Sequence, residues 1–456
     1  MKDFMRPFFL SLLAVSLLAP LPAQHNDGKP DPGIAVPDSL DLTYALAFAL
    51  DNNFAIRQAR ERIRQQEGVV LEVRGPQLPN VSASGGYQRG DAAVGPTGED
   101  RYWSVDITAR QTLYAGGGVV AGIKGAQYTL DAAVLELRSI INDALLDVRT
   151  RFYTVLVNRQ KIKVQEQNVE LIERQLQDVK NRFDAGTVSN FEVLRAEVAV
   201  ANAKVPLITA RNDYRLAIEE LRFSLGFTTA TEPDVTKVPE FLGTLDFTPA
   251  TFDLRSALAT AREQRPDLQR LRRLQTAAEE GVIARRAGYY PNLSLFGAYD
   301  SRKTFGLGSF SQDHDGFTVG LQSSWNVFDG RATAGRVAQA RSFLEQAKLA
   351  VAEAQLSVDV DVRRSISTFQ QANELAEASK KVVEQAEEAV RLANARYSAG
   401  TATQLDVLTS QVDLTTARLN QVQAFYAYNV AVATTRKAMG LPDEMKPTTE
   451  IAYPAK

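Results

Sequence analysis

An apolar side chain recurs every seven residues through one uninterrupted stretch of the chain, and this stretch limits the possible folds more than any other. The set contains no proline and runs Val134, Ile141, Val148, Val155, Ile162, Val169, Leu176, Phe183. A sustained period of seven predicts a left-handed coiled-coil seam. A helix from Val119 to Phe183 would be roughly 100 Å long at about 1.5 Å per residue. Because a lone exposed helix would not stay folded, it must pack along other helices.

The long helix ends in a motif that occurs twice. The first copy runs from Arg182 to Leu194, and the second copy, 214 positions later, runs from Arg396 to Leu408. In each copy a glycine ends one helical pattern, and a Thr or Ser followed by a carboxylate begins the next. Glycine adopts the left-handed backbone found at helix ends, and Thr or Ser can cap the following helix. The motif therefore predicts the tips of two long antiparallel hairpins.

Other features repeat with nearly the same offset. Pro79-Asn80-Val81 matches Pro291-Asn292-Leu293, and Gly226 matches Gly440. A second long helical pattern contains one four-residue stutter and runs Val337, Leu344, Val351, Val358, Val362, Phe369, Ala376, Val383, Val390, Tyr397. The last helix is predicted to use Leu405, Val412, Leu419, Tyr426 and Ala433. The chain is therefore predicted to be a tandem duplication in which each half supplies two strands and one long helical hairpin.

Between the helical segments the period changes to two. Apolar and polar residues alternate in the order Trp103, Ser104, Val105, Asp106, Ile107, Thr108, Ala109, Arg110. This alternation fits a half-buried strand of a soluble sheet, and it fits equally a transmembrane strand with lipid on one face and water on the other. Four strands cannot close a transmembrane barrel alone, since closed barrels need about eight or more. If the strands span a membrane, several chains must share one barrel, and neighbouring chains would also cover the heptad seams.

Composition argues against several classes of function. A formal net charge of −2 argues against a nucleic-acid partner. The chain has no cysteine and two histidines, His25 and His314. Thiolate chemistry, a lipid-anchored cysteine and histidine-based metal or catalytic sites are therefore not expected, and neither is a cofactor.

Residues 1–23 are predicted to be a secretory signal peptide. Lys2 and Arg6 precede an apolar run from Phe8 to Leu18 that is too short to span a membrane, and Ala23 is the expected last residue removed. The alternative is a short membrane anchor. After Ala23 no apolar stretch is long enough for a transmembrane helix.

The predicted layout has two repeats joined by a linker. Pro206 is expected to kink or divide the helix that follows the first tip. An extended tail at 24–39 precedes the first repeat at 40–227, which has strands at about 80–90 and 101–113 and a tip at 184–190. A linker at 228–250 crosses the outside of the helices. The second repeat at 251–441 has strands at about 291–302 and 315–328 and a tip at 398–404, and a C-terminal tail follows at 442–456.

The chain resembles the TolC-type outer membrane factors of Gram-negative bacteria over essentially the whole mature sequence. The resemblance rests on the twin R-[FY]-x-A-G-T tips with Glu192-Val193-Leu194 and Asp406-Val407-Leu408, on Tyr114-Ala115-Gly116 and Phe328-Asp329-Gly330, and on the duplicated Pro-Asn. It implies a mainly α fold with a transmembrane β-barrel part, in which a homotrimer forms an α-barrel through the periplasm and a shared 12-stranded barrel in outer-membrane lipid.

The implied function is an exit duct for efflux or type I secretion, and not an enzyme. Such a duct docks with a periplasmic adaptor (a membrane fusion protein) and with an inner-membrane transporter of the RND or ABC type. Loops 90–100 and 300–316 would be extracellular. Alternatives of other classes are a secreted or periplasmic coiled-coil scaffold and a carboxylate-based hydrolase. No nucleophile–base pair, phosphate loop or metal spacing in the sequence supports the hydrolase.

The resemblance also assigns roles at the tips. Asp406 would form a ring of three carboxylates at the periplasmic entrance, while Thr409 and Ala402 stand where the best-known member has an acidic and a basic residue. Tyr397 would bond Glu192 as a closing latch. The alternative for Glu192 and Asp406 is that each only favours the positive N-terminal end of its helix.

Two further groups of residues receive expected roles. The exposed turns are expected to meet the adaptor through Arg182, Gly186, Thr187, Arg396, Gly400 and Thr401. The strands are expected to place an aromatic belt at the membrane interfaces; the alternative for each aromatic is packing against a neighbouring strand. The belt residues are Tyr87, Tyr102, Trp103 and Trp325.

Overall fold

The computed structural model of the chain describes residues 38–89, 99–227, 238–306 and 311–443, and it describes the backbone alone at 99–102, 303–306 and 311–314. The predicted signal peptide, most of the N-terminal tail, part of the linker and most of the C-terminal tail lie outside these ranges. So does most of the predicted loop at 90–100.

Two helical hairpins form most of the described chain. Helices α3 (Gly118–Asp184) and α4 (Asn190–Leu225) form the first hairpin, and α7 (Ala332–Ser398) and α8 (Gln404–Ala438) form the second. Helices α3 and α7 each contain 67 residues, which is about 100 Å of helix. Helix α3 packs on α4 and α8, and α8 packs on α7, so the order across the layer is α4–α3–α8–α7.

Among the helices within the described ranges, none is both long enough and apolar enough to cross a bilayer.

The heptad sets lie mostly where helices meet. Every member of the set on α7, from Val337 to Tyr397, is buried or half-buried, and so is the set on α3 except Phe183 at the tip. The predicted set on α8 does not form the buried seam near the tip, because Leu405 and Val412 are exposed. The buried face of α8 there consists of Gln404, Val407, Gln411, Leu414 and Ala417. Two faces of α8 carry the same period, and periodicity alone does not tell which of them has a partner within the chain.

A pair of shorter helices precedes each strand pair. These are α1 (Leu42–Asn52) and α2 (Phe54–Arg74) in the first repeat, and α5 (Leu254–Gln264) and α6 (Pro266–Arg286) in the second. The Asp41 carboxylate accepts a hydrogen bond from the Tyr44 N–H at 2.8 Å, and Asp253 accepts one from the Ser256 N–H at 2.8 Å. Each first helix of a pair therefore begins at an aspartate cap.

The ends of the hairpins dock on the joints of these helix pairs. Gly226 ends α4 with a φ of 77°, and Gly440 follows α8 with a φ of 75°. A Cβ at Gly226 would overlap the carbonyl of Asn52, and one at Gly440 would lie 2.8 Å from the backbone nitrogen of Arg265. Both positions therefore require glycine for its backbone conformation and for its small size.

The segment between the repeats lies across one side of the helix layer, called here the linker face. Strand β1 (Ser39–Leu40) pairs in parallel with β4 (Glu240–Phe241), and Arg159 of α3 donates to the carbonyl of Gly243 at 2.6 Å. The Tyr428 hydroxyl of α8 donates to the Thr248 carbonyl at 2.7 Å, and the Asn429 amide donates to the Asp246 carbonyl at 3.0 Å. Phe252 then packs edge-on against Phe369 of α7.

The four long strands form one antiparallel sheet in the order β2-β3-β5-β6. They are β2 (Asn80–Arg89), β3 (Glu99–Ala115), β5 (Asn292–Gly306) and β6 (Ser311–Ser324). The register places Ile107 opposite Tyr299 and Tyr299 opposite Phe317, so apolar residues form one continuous face. The opposite face carries Asp106 paired with Asp300. Within the described chain, β2 and β6 are edge strands.

Three boundaries differ from the sequence-based expectation. Strands β5 and β6 extend over most of the predicted loop at 300–316, and residues 307–310 lie outside the described ranges. Strand β6 ends at Ser324, so Trp325 lies just beyond it. Helix α4 continues through Pro206 without dividing, because buried Ala203 and Leu207 hold the helix against α3 on both sides of the exposed proline.

Candidate functional site

The first hairpin tip is a Schellman turn formed by the repeated motif. Gly186 has a φ of 74°. Its N–H donates to the Phe183 carbonyl at 2.8 Å, and the Thr187 N–H donates to the Arg182 carbonyl at 2.9 Å. The Thr187 hydroxyl donates to the same carbonyl, also at 2.9 Å. Threonine after the glycine therefore gives the last turn of α3 two hydrogen bonds.

The second tip repeats this geometry. Gly400 has a φ of 73°, the Gly400 N–H donates to the Tyr397 carbonyl at 3.1 Å, and the Thr401 N–H donates to the Arg396 carbonyl at 2.9 Å. The Thr401 hydroxyl donates to Arg396 at 3.1 Å. Nothing lies within 4 Å of a Cβ built at Gly400 or Gly186. These glycines are therefore needed for their backbone conformation, and they leave a small exposed surface at each tip.

The helices that follow the two turns begin differently. At α8 the Asp406 N–H donates to the Thr403 hydroxyl at 3.3 Å, and the Asp406 carboxylate accepts from the Thr403 N–H and hydroxyl, both at 2.8 Å. This is a capping box. At α4 the Ser189 side chain makes no capping hydrogen bond, although Glu192 lies in the first turn. The predicted side-chain cap is therefore present at the second tip only.

Asp406 carries out the helix-terminal role that was its alternative interpretation, and its carboxylate remains exposed. Hydrogen bonds from the backbone and then the side chain of Thr403, together with the charge of Arg396, lower the pKa of Asp406 below its usual range. The carboxylate is therefore ionised at neutral pH. Thr409, one turn further on, is uncharged, and its hydroxyl donates to the Leu405 carbonyl at 2.9 Å.

One side-chain contact joins the two tips. The guanidinium carbon of Arg182 lies 4.6 Å from the centroid of the Tyr397 ring, which is a cation–π distance. The Tyr397 hydroxyl is buried and has no hydrogen-bond partner among the described residues. The expected bond from Tyr397 to Glu192 is therefore not formed within the chain. The arrangement of helices explains this, because α3, which carries Arg182, packs on the second hairpin, whereas α4 packs on α3 and α1.

Comparison with known families identifies the architecture. The sequence model of a family described as "Outer membrane efflux protein" matches residues 46–227 and 257–441. These two ranges follow the two structural repeats and cover most of the chain. The chain belongs to the outer membrane efflux protein family.

Relatives and a solved structure agree with this assignment. Protein CyaE of Bordetella pertussis is 25% identical over 390 residues, which are 84% of this chain and 81% of CyaE. The pyoverdine export outer membrane protein OpmQ of Pseudomonas aeruginosa is 25% identical over 419 residues, which are 88% of this chain and 85% of OpmQ. The Campylobacter jejuni CmeC outer membrane channel is 15% identical, and it matches with a TM-score of 0.75 over 88% of this chain and 85% of CmeC. The resemblance inferred from the sequence is confirmed.

The second tip of this efflux protein also has a feature that the sequence analysis missed. Gln404 and Gln411 lie seven residues apart on the buried face of α8. Gln404 is 5% exposed, and neither polar atom of its amide has a hydrogen-bond partner among the described residues; the side-chain oxygen of Gln411 also lacks one. An unsatisfied buried polar group costs about 1–3 kcal/mol. The helices near the tip therefore pack less favourably than an apolar seam would, and the signal for this was the seven-residue spacing of the two glutamines.

The predicted belt aromatics lie at opposite ends of the strands. Tyr87 and Trp103 pair across β2 and β3 beside residues 90–98, and the side chain of Tyr102 lies outside the described set. Trp325 lies at the helix end of the sheet, where its ring N–H donates to the Tyr289 carbonyl at 3.1 Å. Sequence analysis missed other exposed aromatics at this helix end, although they flank the turn motifs: Tyr114, Tyr289, Tyr290 and Phe328.

Substitution of Tyr397 tests which contact holds the two tips together. Because the hydroxyl makes no hydrogen bond and the ring faces Arg182, we expect Tyr397→Phe to leave single-channel conductance in planar bilayers unchanged. Tyr397→Leu removes the aromatic face, and we expect it to raise the open fraction by roughly twofold to fivefold, the equivalent of about 0.5–1 kcal/mol.

The reciprocal variant makes this test specific. Arg182→Gln should match Tyr397→Leu, and the double variant should add little to either single variant. A rise in conductance with Tyr397→Phe would contradict the stacking contact and would restore the hydroxyl–carboxylate latch.

Proposed function

We propose that three copies of the chain form the exit duct of a tripartite efflux or type I secretion system. The strands of the three copies form one barrel in the outer membrane, and the helical hairpins continue it as a tunnel through the periplasm. The duct has no lipid anchor. Its tips meet a periplasmic adaptor, which links it to an inner-membrane transporter of the RND or ABC type. The named relatives include one that is described as exporting pyoverdine.

The observation that carries this proposal is a second heptad face on α4. The first face packs on α3 and consists of Val193, Ala196, Val200, Ala203, Leu207 and Ala210. The second face has the same period but is exposed, and it consists of Phe191, Leu194, Val198, Val205 and Ile208. A coiled-coil face without a partner in its own chain is expected to find one in another chain.

The other edge of the helix layer has a corresponding face. Helix α7 exposes Leu375, Val382 and Leu392 away from its seam with α8. Because α4 and α7 lie at opposite edges of the layer, the α4 edge of one copy can pack on the α7 edge of the next. A head-to-tail contact of this kind closes into a ring when the rotation that relates one copy to the next is a whole fraction of a full turn.

The sheet supports the same assembly. Its edge strands, β2 and β6, need partners if the sheet lies in lipid, and three four-stranded sheets supply twelve strands. The apolar face, with Val81, Tyr299 and Phe317 exposed, suits lipid. The face with Asp106 and Asp300 suits a water-filled lumen.

The tips supply the entrance and the docking surface. Three copies place three Asp406 carboxylates around the axis, where they attract cations and repel anions. The exposed Schellman turns at Gly186-Thr187 and Gly400-Thr401 present backbone and small side chains to the helical hairpin of an adaptor. Arg182 and Arg396 stabilise these turns through their carbonyls.

The assembly is tested by placing a charge on the second face of α4. Val205 is 62% exposed in the single chain, so Val205→Asp should cost a monomer less than about 0.5 kcal/mol. In a trimer it would bury an unpaired carboxylate. We expect Val205→Asp to abolish the heat-modifiable trimer band of outer-membrane fractions. We expect exposed Asn202→Asp, which adds the same charge one turn away and outside the apolar set, to preserve it. A normal trimer band with Val205→Asp would contradict the proposed interface. If the wild-type chain fractionates with soluble periplasm and shows no channel activity, the scaffold alternative is supported.

The entrance ring is tested by conductance. We expect Asp406→Asn to raise single-channel conductance and reduce cation selectivity, with Asp184→Asn at the first tip as the charge-matched control. Because folding lowers the pKa of Asp406, its cap is fully present above the unfolded value of about 3.9 and is lost as pH falls through the lower folded value. The selectivity difference between wild type and Asp406→Asn should therefore be present at neutral pH and should disappear as falling pH protonates the Asp406 carboxylates. If the variant matches wild type at every pH, Asp406 acts as a helix cap only.

The docking surface is tested at Gly400. Gly400→Trp places a large side chain on the exposed turn, and we expect it to abolish export while trimers remain in the outer membrane. Gly400→Asn is the matched control, because asparagine tolerates a positive φ, and it should retain export. If Gly400→Trp removes the trimer itself, the turn has a folding role and the docking role is unsupported.

A further inference from the structure

Helix α8 has two different sides near its C-terminal end. Tyr428 and Asn429 bind the linker and therefore lie on the linker face. At about 100° per residue, Ala427, Val430 and Thr434 point in nearly the opposite direction. These three residues line a cavity of about 550 Å³ between α7 and α8. The cavity therefore opens on the side of the helix layer opposite to the linker face.

The position of the linker decides which side of the wall the cavity occupies in the duct. This step rests on the proposed function. Segments that cross the helices would obstruct a tunnel if they lay inside it, so the linker face must be the outer face of the ring. The cavity then faces the lumen, along the path of the cargo.

The lining of the cavity combines an apolar wall with hydroxyl groups. Leu146 of α3 and Tyr426, Val430 and Ala431 of α8 provide the apolar wall, and Thr368 and Thr434 provide hydroxyls. Pockets that hold small molecules have volumes of about 300–1,000 Å³ with mostly apolar walls and a few polar groups. The size and lining of this cavity therefore suit a small amphipathic molecule.

The charged residues at the cavity determine which charge on that molecule is favoured. Arg265 is paired with Asp267 at 2.6 Å and with Asp361 at 3.1 Å, and Lys437 is paired with Asp143. Arg364 also lines the cavity, and its exposed guanidinium forms no ion pair within the described chain. Asp361, the one carboxylate among the lining residues, shares Arg265 with Asp267. Arg364 is therefore the lining cation whose guanidinium is not already paired with a carboxylate of the described residues. An anionic group is complementary to this arrangement.

We propose that this cavity is a contact site for amphipathic organic anions on the wall of the duct. The apolar body of the anion lies against Tyr426 and Val430, and its carboxylate, sulfonate or phosphate group lies against Arg364. The cavity is about 36 Å further along α8 than Asp406, since 24 residues separate Asp406 from Val430. An anion that has passed the acidic entrance therefore meets a compensating cation inside the tunnel.

The proposal is tested with 8-anilinonaphthalene-1-sulfonate, an anion with an apolar fluorescent body, on trimers reconstituted in lipid nanodiscs. After subtraction of empty nanodiscs, wild type should show a saturable rise in fluorescence that weakens with added salt. Arg364→Gln should raise the dissociation constant by roughly twofold to fivefold, as expected for loss of one partly exposed ion contact. Thr434→Trp fills the cavity and should remove the saturable component.

Two controls separate the anion site from general effects. Arg363→Gln makes the same change of charge at an exposed neighbour on α7 that does not line the cavity, and it should bind the probe as wild type does. The neutral probe N-phenyl-1-naphthylamine should bind wild type and Arg364→Gln equally.

The outcomes distinguish this proposal from the function on which it rests. If Arg364→Gln and Arg363→Gln behave alike in conducting trimers, the anion site is wrong and the duct stands. If Thr434→Trp dissociates the trimer, the cavity is covered by another copy and is not a cargo site. If wild type forms neither trimers nor channels, both the duct and the site are overturned.

Discussion

The structure depends on the need to cover two helices of 67 residues along their whole length. Each helix is about 100 Å long, and one antiparallel partner can cover only one side of it. Duplication covers part of this surface, because α3 and α8 pack on each other between the two hairpins. The shorter helices α1, α2, α5 and α6 pack on α3 and α7. The sides that remain, on α4 and α7, still carry the seven-residue apolar period. The oligomerisation that we propose would therefore use the same pattern that forms the hairpins.

Duplication has produced two tips with the same turn and different chemistry. Both use a glycine with positive φ and a threonine whose hydroxyl donates to the carbonyl of the arginine five residues before it. Only the second tip has a capping box. Buried glutamine amides without a hydrogen-bond partner among the described residues lie near both tips, at Gln175 on α3 and at Gln404 on α8. The Arg182–Tyr397 contact contributes about 0.5–1 kcal/mol, whereas each unsatisfied amide costs about 1–3 kcal/mol. The contact between the two tips is therefore weaker than the penalty of the unsatisfied amides beside it.

Local patterns predicted those parts of the fold that local forces determine. The long helices follow from unbroken sevens, the two reversals from glycine and threonine, and the two faces of the sheet from alternation at Trp103 to Arg110. Contacts between elements could not be predicted in the same way. Leu405 and Val412 belong to a heptad set, yet the buried face of α8 lies elsewhere, and the partner of Tyr397 is Arg182 because α3 lies beside the second hairpin. Strands β5 and β6 are longer than expected since backbone pairing extends them into a polar segment whose composition resembled a loop.

The two apolar faces of α4 also bear on the number of copies. In a heptad frame each residue advances by about 103°. The buried face is centred between Val193 and Ala196, and the exposed face between Leu194 and Val198, so the two centres lie about 150° apart around the helix. A single-layer ring of twelve helices, four from each of three chains, requires neighbours separated by about 150°, whereas a ring of eight helices from two chains requires about 135°. The spacing of side chains on one helix is thus better suited to three copies than to two, and the same number gives the sheet enough strands to close.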